Sequence, residues 1–197
     1  MKFHLVTAAC LLALATSLKA DDHSVEHYVI DTPGAHAFVQ FKISHLGFSW
    51  LYGRFNDFEG HFTYDPDHPE NSSVEVTIQT TSVDSNHERR DDHLRNEDFL
   101  TVEEYPESHF RSTSFERVGD GKYRMTGDFT LLGVTRELEM DVEHVGAGED
   151  PWGNYRRGFH GTTSFRLADF GIDYDLGEEA EVIEIILDVE GIRQEEE

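Results

Sequence analysis

The sequence predicts an all-β protein built from antiparallel strands. Polar and apolar residues alternate along most of the chain, as they do in strands that have one wet face and one apolar face. Turn-forming residues separate these segments, and no segment with a 3.6-residue period is long enough to cover a sheet. About eight such strands must bury their apolar faces against one another, so the pattern favours a closed barrel or a sandwich.

Within each alternating segment the apolar residues share one parity. In chain order the segments contribute Ala37, Val39, Phe41 and Ile43; Phe58, Gly60, Phe62 and Tyr64; Val74, Val76 and Ile78; Leu138, Met140 and Val142; and Ile183, Ile185, Leu187 and Val189. Tight turns are predicted at Asp65-Pro66-Asp67, Gly119-Asp120-Gly121 and Gly133-Val134, and a longer loop at 146–153. Glycines on inward faces, such as Gly60, Gly127 and Gly161, either leave volume for a cavity or mark bends in the strands.

One segment, Asp84 to Asn96, breaks the strand pattern, and it overlaps the charge-rich run RRDDHLRNEDFL at residues 89–100. The residues just before it, 81–86, supply several candidates for a helix N-cap. We predict a short helix from Glu88 through Arg95, between two strands. Asp91 and Arg95 stand four positions apart in it, a spacing that favours an ion pair on a helix.

The first twenty residues have the features of a secretory signal. Lys2 gives a basic start, Leu5 to Leu18 is an apolar run, and Ala20 is a small residue at the expected cleavage point. The run is too short for a stable transmembrane helix, so we expect export and no stable membrane insertion after the signal is removed. The single cysteine, Cys10, lies in this run, and the mature chain is therefore expected to contain no thiol or disulfide.

The chain is strongly acidic. Sixteen Lys and Arg stand against forty Asp and Glu, a net charge of −24, and loss of Lys2 and Lys19 with the signal would make it −26. Such a field repels phosphate backbones and anionic headgroups, which argues against nucleic-acid binding and against electrostatic docking on membranes. Two explanations remain open: adaptation to a salty medium, or acidic drift that affects only solubility.

Six blocks of sequence resemble the YceI-like family of bacterial periplasmic proteins. They are YVID at 28–31, HAFVQFKISHLGFSWLYGRF at 36–55, TTSVDSNHERRDDHLRNEDFL at 80–100, YPESHF at 105–110, GDFTLLGVTRELEM at 127–140 and ADFGI at 168–172. The blocks occur in the family's order and spacing and cover nearly all of the mature chain.

The resemblance implies an eight-stranded antiparallel lipocalin-like barrel with a short helix near one mouth. It also implies that the protein is periplasmic and that some relatives hold a long polyisoprenoid, such as an isoprenoid quinone or a polyprenyl chain, in the barrel. The length of the chain favours a single domain over 21–197 after the signal at 1–20.

Neither a metal site nor an enzyme active site is predicted. His87 and His93 are six positions apart, which does not place them on one helix face, and the chain has no HExxH motif. A Gly-x-Ser-x-Gly elbow, a cysteine nucleophile and a suitable pair of carboxylates are also missing. We therefore expect no cofactor apart from a bound isoprenoid lipid.

Twelve residues are candidates for ligand binding, chosen as aromatic or mouth-proximal side chains. They are His45, Phe48, Trp50, Tyr52, Phe58, Phe62, His93, Leu94, Phe99, Phe129, Phe159 and Phe165. Trp50 and Tyr52 either line a cavity mouth, a common place for amphipathic rings, or cap the core at the end of a strand. The phenylalanines are either core or pocket wall, and the pattern does not distinguish the two.

The charge-rich segment is interpreted as a lid over one end of the barrel. Leu94 and Phe99 would pin it, while Asp92, His93, Arg95 and Asp98 would hold it through salt bridges and capping bonds. The alternative is a solvated surface helix.

Two function hypotheses follow. The first is a periplasmic binding protein that sequesters a long isoprenoid lipid in an apolar lumen. The second is a non-enzymatic structural or stress-response protein with a filled interior, acting through a protein partner. A homodimer is compatible with either.

Overall fold

Eleven strand segments and one α-helix organise residues 25–195, the part of the chain that the computed structural model describes. The strands are β1 (Glu26–Ile30), β2 (Phe38–His45), β3 (Ser49–Phe55), β4 (Phe58–Tyr64), β5 (Ser73–Gln79), β6 (Val83–Asp84), β7 (Glu107–Gly119), β8 (Lys122–Leu131), β9 (Val134–Glu149), β10 (Tyr155–Arg166) and β11 (Val182–Arg193). The helix is α1 (Glu88–Arg95), and short 3-10 helices span Pro69–Asn71, Thr80–Ser82, Leu167–Phe170 and Glu178–Ala180. The predicted signal and Cys10 lie outside the described residues.

The segments form a closed antiparallel barrel of eight long strands, as expected. Three of the long strands are interrupted: β1 continues into β2, β3 into β4, and β5 into β6. Both β1 and β2 pair with β11, with Val29 opposite Ile192 and Ile43 opposite Ile183. The ring then runs β1/β2, β3/β4, β5/β6, β7, β8, β9, β10 and β11, each pair antiparallel. Closure leaves these strands without a long free edge.

The predicted inward parity is observed in the barrel. Two apolar clusters lie inside it, one towards each end. At one end Tyr28 stacks on Phe62, with ring centroids 4.6 Å apart, and Phe115 stacks on Tyr123 at 4.5 Å. This end is closed by packed side chains, and we call it the closed end.

Two inward glycines, Gly127 and Gly53, accommodate neighbouring aromatic rings and do not supply cavity volume, while Gly60 and Gly161 face Ile30 and Met140. A Cβ at Gly127 would collide with the Phe110 ring and would lie 2.6 Å from the Arg111 carbonyl oxygen. A Cβ at Gly53 would likewise collide with the ring of Phe41. An aromatic side chain on the adjacent strand therefore covers Gly127 and another covers Gly53, which favours close strand pairing.

Helix α1 has the predicted bounds but different local contacts. Its N-cap is His87, one residue beyond the predicted candidates, and the His87 ring accepts a hydrogen bond from the Arg90 amide at 3.2 Å. The predicted pair between Asp91 and Arg95 is wrong. Asp91 is buried and accepts hydrogen bonds from the amide and the hydroxyl of Ser85, so its carboxylate faces away from Arg95.

The loop predicted at 146–153 is also wrong in extent. Strand β9 continues through Glu149, and only a tight turn separates it from β10. The Asp150 carboxylate accepts hydrogen bonds from the amides of Trp152 and Asn154, both at 2.9 Å. Two backbone amides of the turn therefore find their acceptor within the turn itself. The two glycines at 146 and 148 therefore lie within a strand.

Candidate functional site

A cavity of about 590 Å³ lies inside the barrel and opens beside α1. Its wall is built from the inward residues of the strands. They include Val39, Phe41, Ile43, Leu51, Phe55, Phe58, Val76, Ile78, Phe110, Phe129, Leu131, Leu138, Met140, Phe165, Ile183, Ile185, Leu187 and Val189. The cavity wall is thus a continuous hydrocarbon and aromatic surface.

The few hydroxyls in the wall are already satisfied. Ser108 donates its hydroxyl to the Thr130 carbonyl at 2.9 Å, and Thr163 donates to the Glu139 carbonyl at 2.6 Å. Across residues 25–195, every buried side-chain nitrogen or oxygen has a hydrogen-bond partner. A ligand deep in the cavity would find no free polar partner, so a polar group placed there would be penalised.

The charged and imidazole side chains that line the cavity lie at its mouth. His45 ends β2 on the inward parity, Arg90 and His93 come from α1, and Tyr174 and Asp175 come from the segment after β10. The arrangement suits a ligand with a long apolar tail and a polar end that stays near solvent.

The lid residues predicted from the charge-rich segment lie over this mouth. Phe99 is buried and lines the cavity together with Leu94. The His93 ring packs edge-on against Phe99 at 5.0 Å and against Tyr174 at 5.2 Å, measured between ring centroids. His93 Nε2 donates to the Asp98 carboxylate at 2.9 Å, which fixes the ring in this position.

Two arginines anchor the lid to the barrel. Arg90 donates to the Ser85 hydroxyl at 2.7 Å and to the Ser85 carbonyl at 2.6 Å. Arg95 donates to the carbonyls of Thr81 and Val83, both at 2.8 Å, and contacts Asp92 at 3.3 Å. The two guanidinium groups therefore bind the backbone that precedes α1. These hydrogen bonds hold the apolar side of α1 against the mouth.

A buried arginine fills the closed end. Arg157 donates to the Glu26 carboxylate at 2.8 Å, to the Tyr28 hydroxyl at 3.1 Å and to His144 Nε2 at 3.2 Å. Its guanidinium also lies over the Tyr64 ring, 4.1 Å from the centroid. This network closes the barrel opposite the lid.

Burial of this network shifts the ionisation of its members. Burial raises the pKa of Tyr28 to about 12 and that of Tyr64 to about 12, so both hydroxyls stay neutral. Burial, and then the charge of Arg157, lower the pKa of His144. A neutral His144 is the form that can accept a hydrogen bond from Arg157.

A second charged cluster lies on the outside of the closed end. Among residues 25–195, the group that could offer three metal ligands is Asp31, His36 and Glu190. Arg156 donates to Asp31 at 2.6 Å, to Asp150 at 2.5 Å and also to Glu190. The guanidinium therefore already supplies the positive charge that a metal ion would bring.

The structure brings together seven of the twelve predicted site residues at the cavity, and they are His45, Phe58, His93, Leu94, Phe99, Phe129 and Phe165. Phe62 and Phe159 lie at the closed end, where their rings meet edge to face at 5.6 Å. Phe48, Trp50 and Tyr52 project into solvent, because they lie at the tip and on the outward face of the β2–β3 hairpin.

Sequence reasoning did not select several cavity residues. Phe41 and Leu187 line the cavity, and both had already been assigned to an inward parity. Tyr174 and Leu176 lie in an irregular segment without periodicity, so no pattern in the sequence could place them at the mouth.

The chain matches the family model described as the YceI-like domain over residues 28–191. It is 50% identical over 190 residues to a UPF0312 protein of Ectopseudomonas mendocina, an alignment that covers 96% of this chain and all of the relative. A UPF0312 protein of Azotobacter vinelandii is 47% identical over 188 residues, covering 95% of this chain and 98% of that protein.

Solved structures share the barrel. The Campylobacter jejuni YCEI protein superposes with a TM-score of 0.70 at 28% identity, covering 78% of this chain and 91% of that one. A Saccharophagus degradans protein, described as a polyisoprenoid binding domain, has a TM-score of 0.61 at 13% identity over 85% of this chain and 98% of its own. At that identity the second likeness shows the fold alone.

Proposed function

The chain belongs to the YceI-like family, and we propose that it is a periplasmic protein that sequesters a long isoprenoid lipid in its barrel. The observation that carries this proposal is the 590 Å³ cavity, whose wall is apolar apart from a few hydrogen-bonded hydroxyls and whose charged and imidazole side chains lie at the mouth. The N-terminal segment with signal-like features supports the periplasmic location.

Burial of a hydrocarbon tail in this cavity supplies enough free energy for tight binding. Each methylene transferred from water contributes about 0.8 kcal/mol, so ten buried methylenes would contribute about 8 kcal/mol before the cost of association. An isoprenoid quinone or a polyprenyl chain supplies such a tail, and its head would stay near His45, Arg90 and His93. The name of the Saccharophagus protein of the same fold supports this ligand class.

Binding is favoured over catalysis and over a purely structural role. Two of the polar side chains at the mouth are engaged with the protein, through the His93 to Asp98 and Arg90 to Ser85 hydrogen bonds. A structural protein that acts through a partner was expected to have a filled interior, whereas this barrel contains a large cavity.

Native mass spectrometry of protein purified without detergent tests the proposal. We expect a bound mass that organic extraction identifies as an isoprenoid lipid, and uptake of added quinone by stripped protein. Finding only the mass of the empty protein, with no uptake, would refute it.

Two variants at neighbouring positions of β11 sharpen the test. Ile185 faces the cavity and Ile186 does not, so Ile185→Phe should reduce lipid occupancy while Ile186→Phe should leave it unchanged. Both substitutions add the same ring to the same strand, so the comparison separates filling of the cavity from general destabilisation.

A further inference from the structure

Four apolar side chains project into solvent from the β2–β3 hairpin, beside the cavity mouth. Their exposed fractions are 57% for Leu46, 85% for Phe48, 59% for Trp50 and 55% for Tyr52. We call these four residues the hairpin tip. Exposed apolar side chains that are contiguous, in contrast to scattered ones, mark a surface that meets another apolar phase.

The hairpin tip is continuous with the cavity. Leu46 lines the mouth although more than half of it is exposed, and the paired residues Ile43 and Leu51 continue the apolar surface inward. A hydrocarbon chain could therefore pass from the cavity to the tip along apolar side chains.

The backbone conformation of the hairpin turn is strained at Leu46. Leu46 has a φ of 53° and Gly47 a φ of 72°, the left-handed pair of a tight hairpin turn in which Asn-Gly is the favoured sequence. Leu132 and Gly133 adopt the same angles, but Leu132 packs against the cluster at the mouth end of the barrel. Leu46 has no comparable burial to offset its strain, which indicates a role outside the isolated fold.

We propose that the hairpin tip docks on the surface of a zwitterionic lipid bilayer. Trp50 and Tyr52 would lie at the level of the headgroups, where amphipathic rings are favoured, and Leu46 and Phe48 would reach the acyl boundary. The inference rests on the proposed function, because docking would place the cavity mouth against the source or destination of its lipid.

The charges near the hairpin tip favour docking on a zwitterionic bilayer over docking on an anionic one. The protein carries a net charge of −24, and the Glu179 side chain lies beside Gly47 in the turn. The nearby Lys42 ammonium lies 4.8 Å from the Trp50 ring centroid but is paired with Glu184 at 2.7 Å. No excess of positive charge at the tip would therefore attract anionic headgroups.

A second copy of the chain is a less suitable occupant. An aromatic side chain offers about 150–250 Å², and the four residues of the tip are only partly exposed. The tip therefore provides less than the roughly 800 Å² per partner of a standard protein interface.

The two tryptophans of the chain provide an internal control. Trp50 belongs to the tip, whereas Trp152 is 77% exposed in the β9–β10 turn at the opposite end of the barrel. In Trp152→Phe, where Trp50 remains, zwitterionic phosphatidylcholine vesicles should shift the emission to shorter wavelength, and brominated acyl chains should quench it. In Trp50→Phe, where Trp152 remains, the emission should not change.

Vesicle sedimentation measures the strength of docking. Removing one apolar side chain that enters the acyl boundary should weaken binding by about tenfold or more, so Phe48→Ser should bind poorly and Trp152→Ser should bind like the original protein. Leu46→Asn should also bind less, while its thermal stability stays equal or rises because Asn suits the turn. That combination separates lost docking from lost folding.

The proposal is overturned if the original protein does not bind the vesicles, or if Phe48→Ser and Trp152→Ser bind them equally. It is also overturned if Phe48→Ser only abolishes self-association seen by sedimentation in the absence of vesicles, since the tip would then meet a second copy. Failure of the proposed function is distinguishable: vesicle docking without any isoprenoid uptake refutes the ligand and leaves the docking surface.

Discussion

The guanidinium of Arg157 lies 4.1 Å from the ring centroid of Tyr64, inside the closed end of the barrel. The same side chain donates to Glu26 on the first strand at 2.8 Å. Arg157 therefore links strands that are distant in sequence. Its guanidinium occupies the end opposite the lid, where its charge is paired and hydrogen-bonded.

Replacement of Arg157 should strongly destabilise the protein. Arg157→Ala removes a buried partner of the Glu26 carboxylate and the stacking on Tyr64, which costs up to about 3–5 kcal/mol. The Glu26 carboxylate keeps its contacts with Arg193 at 3.1 Å and with the Tyr28 hydroxyl at 2.8 Å. Arg157→Lys should restore little, because an ammonium lacks the planar fork and the stacking on Tyr64. Denaturant unfolding followed by circular dichroism measures the loss.

The control for this prediction is Arg111→Ala. Arg111 pairs with Glu75 on the surface at 3.1 Å with both side chains exposed, and such pairs contribute about 0–1 kcal/mol. A loss at Arg157 no larger than the loss at Arg111 would contradict the assigned role.

Stability should fall as the pH drops below about 6.5, partly because of His144. Burial and then the Arg157 charge lower the pKa of His144 in the folded protein, while the unfolded chain takes up the proton at its usual pKa of about 6.5. The unfolded state then binds more protons, so the stabilisation is present above that pH and is lost below it. His144→Gln should flatten the free energy of unfolding between pH 7.5 and 5.5, and an unchanged slope would contradict this.

Protonation of Asp31 should cause a second loss of stability at lower pH. A hydrogen bond with His36, followed by one from Arg156, lowers the pKa of Asp31 to about 2. Its contribution to stability is present above about pH 4 and is lost as the pH falls from there towards 2, where the unfolded carboxylate is protonated first. In Asp31→Asn the loss of melting temperature over that range should be smaller. The hypothesis fails if the variant and the original protein lose melting temperature in parallel.

The lid makes a testable contribution to ligand retention. Phe99 is 8% exposed and lines the cavity, so Phe99→Ala should cost about 3–5 kcal/mol, or less if the lid frays. A bound quinone should dissociate faster, because the mouth opens while the strands stay paired. Glu97→Ala, at an exposed position of the same segment, should change stability by about 0–1 kcal/mol. Equal and small effects on melting and on dissociation would mean that the segment is a surface turn.

Salt should raise the melting temperature if the acidic surface is an adaptation. At a net charge of −24, molar NaCl screens the repulsion within the folded protein. Thermal melting from low to molar NaCl checks this, and a flat or falling trend would favour acidic drift.

The strands and the helix could be predicted because they depend on local pattern. The alternation at Val39, Phe41 and Ile43 faces the barrel interior as expected, since a strand turns successive side chains to opposite faces. Helix α1 has the predicted bounds, Glu88–Arg95. The same parity rule places Trp50 and Tyr52 outside, because Leu51 and Phe55 between and after them face the cavity.

The level at which an inward residue lies along the barrel axis was not predictable from the strand pattern. Phe58 and Phe62 share one strand and one parity, yet Phe58 lines the cavity and Phe62 stacks on Tyr28 at the closed end. A period of two reports the face of a strand and carries no information about which level of the barrel is packed and which is open.

By itself, the sequence determined the strand faces, the short helix and the family, because each depends on local periodicity or on contiguous motifs. Only the tertiary structure decided where the cavity opens, which rings line it and how its far end is closed. Those features depend on pairs such as Arg157 with Glu26, which are 131 positions apart. Such contacts form only when the closed barrel brings distant strands into register, and no local pattern in either segment encodes them.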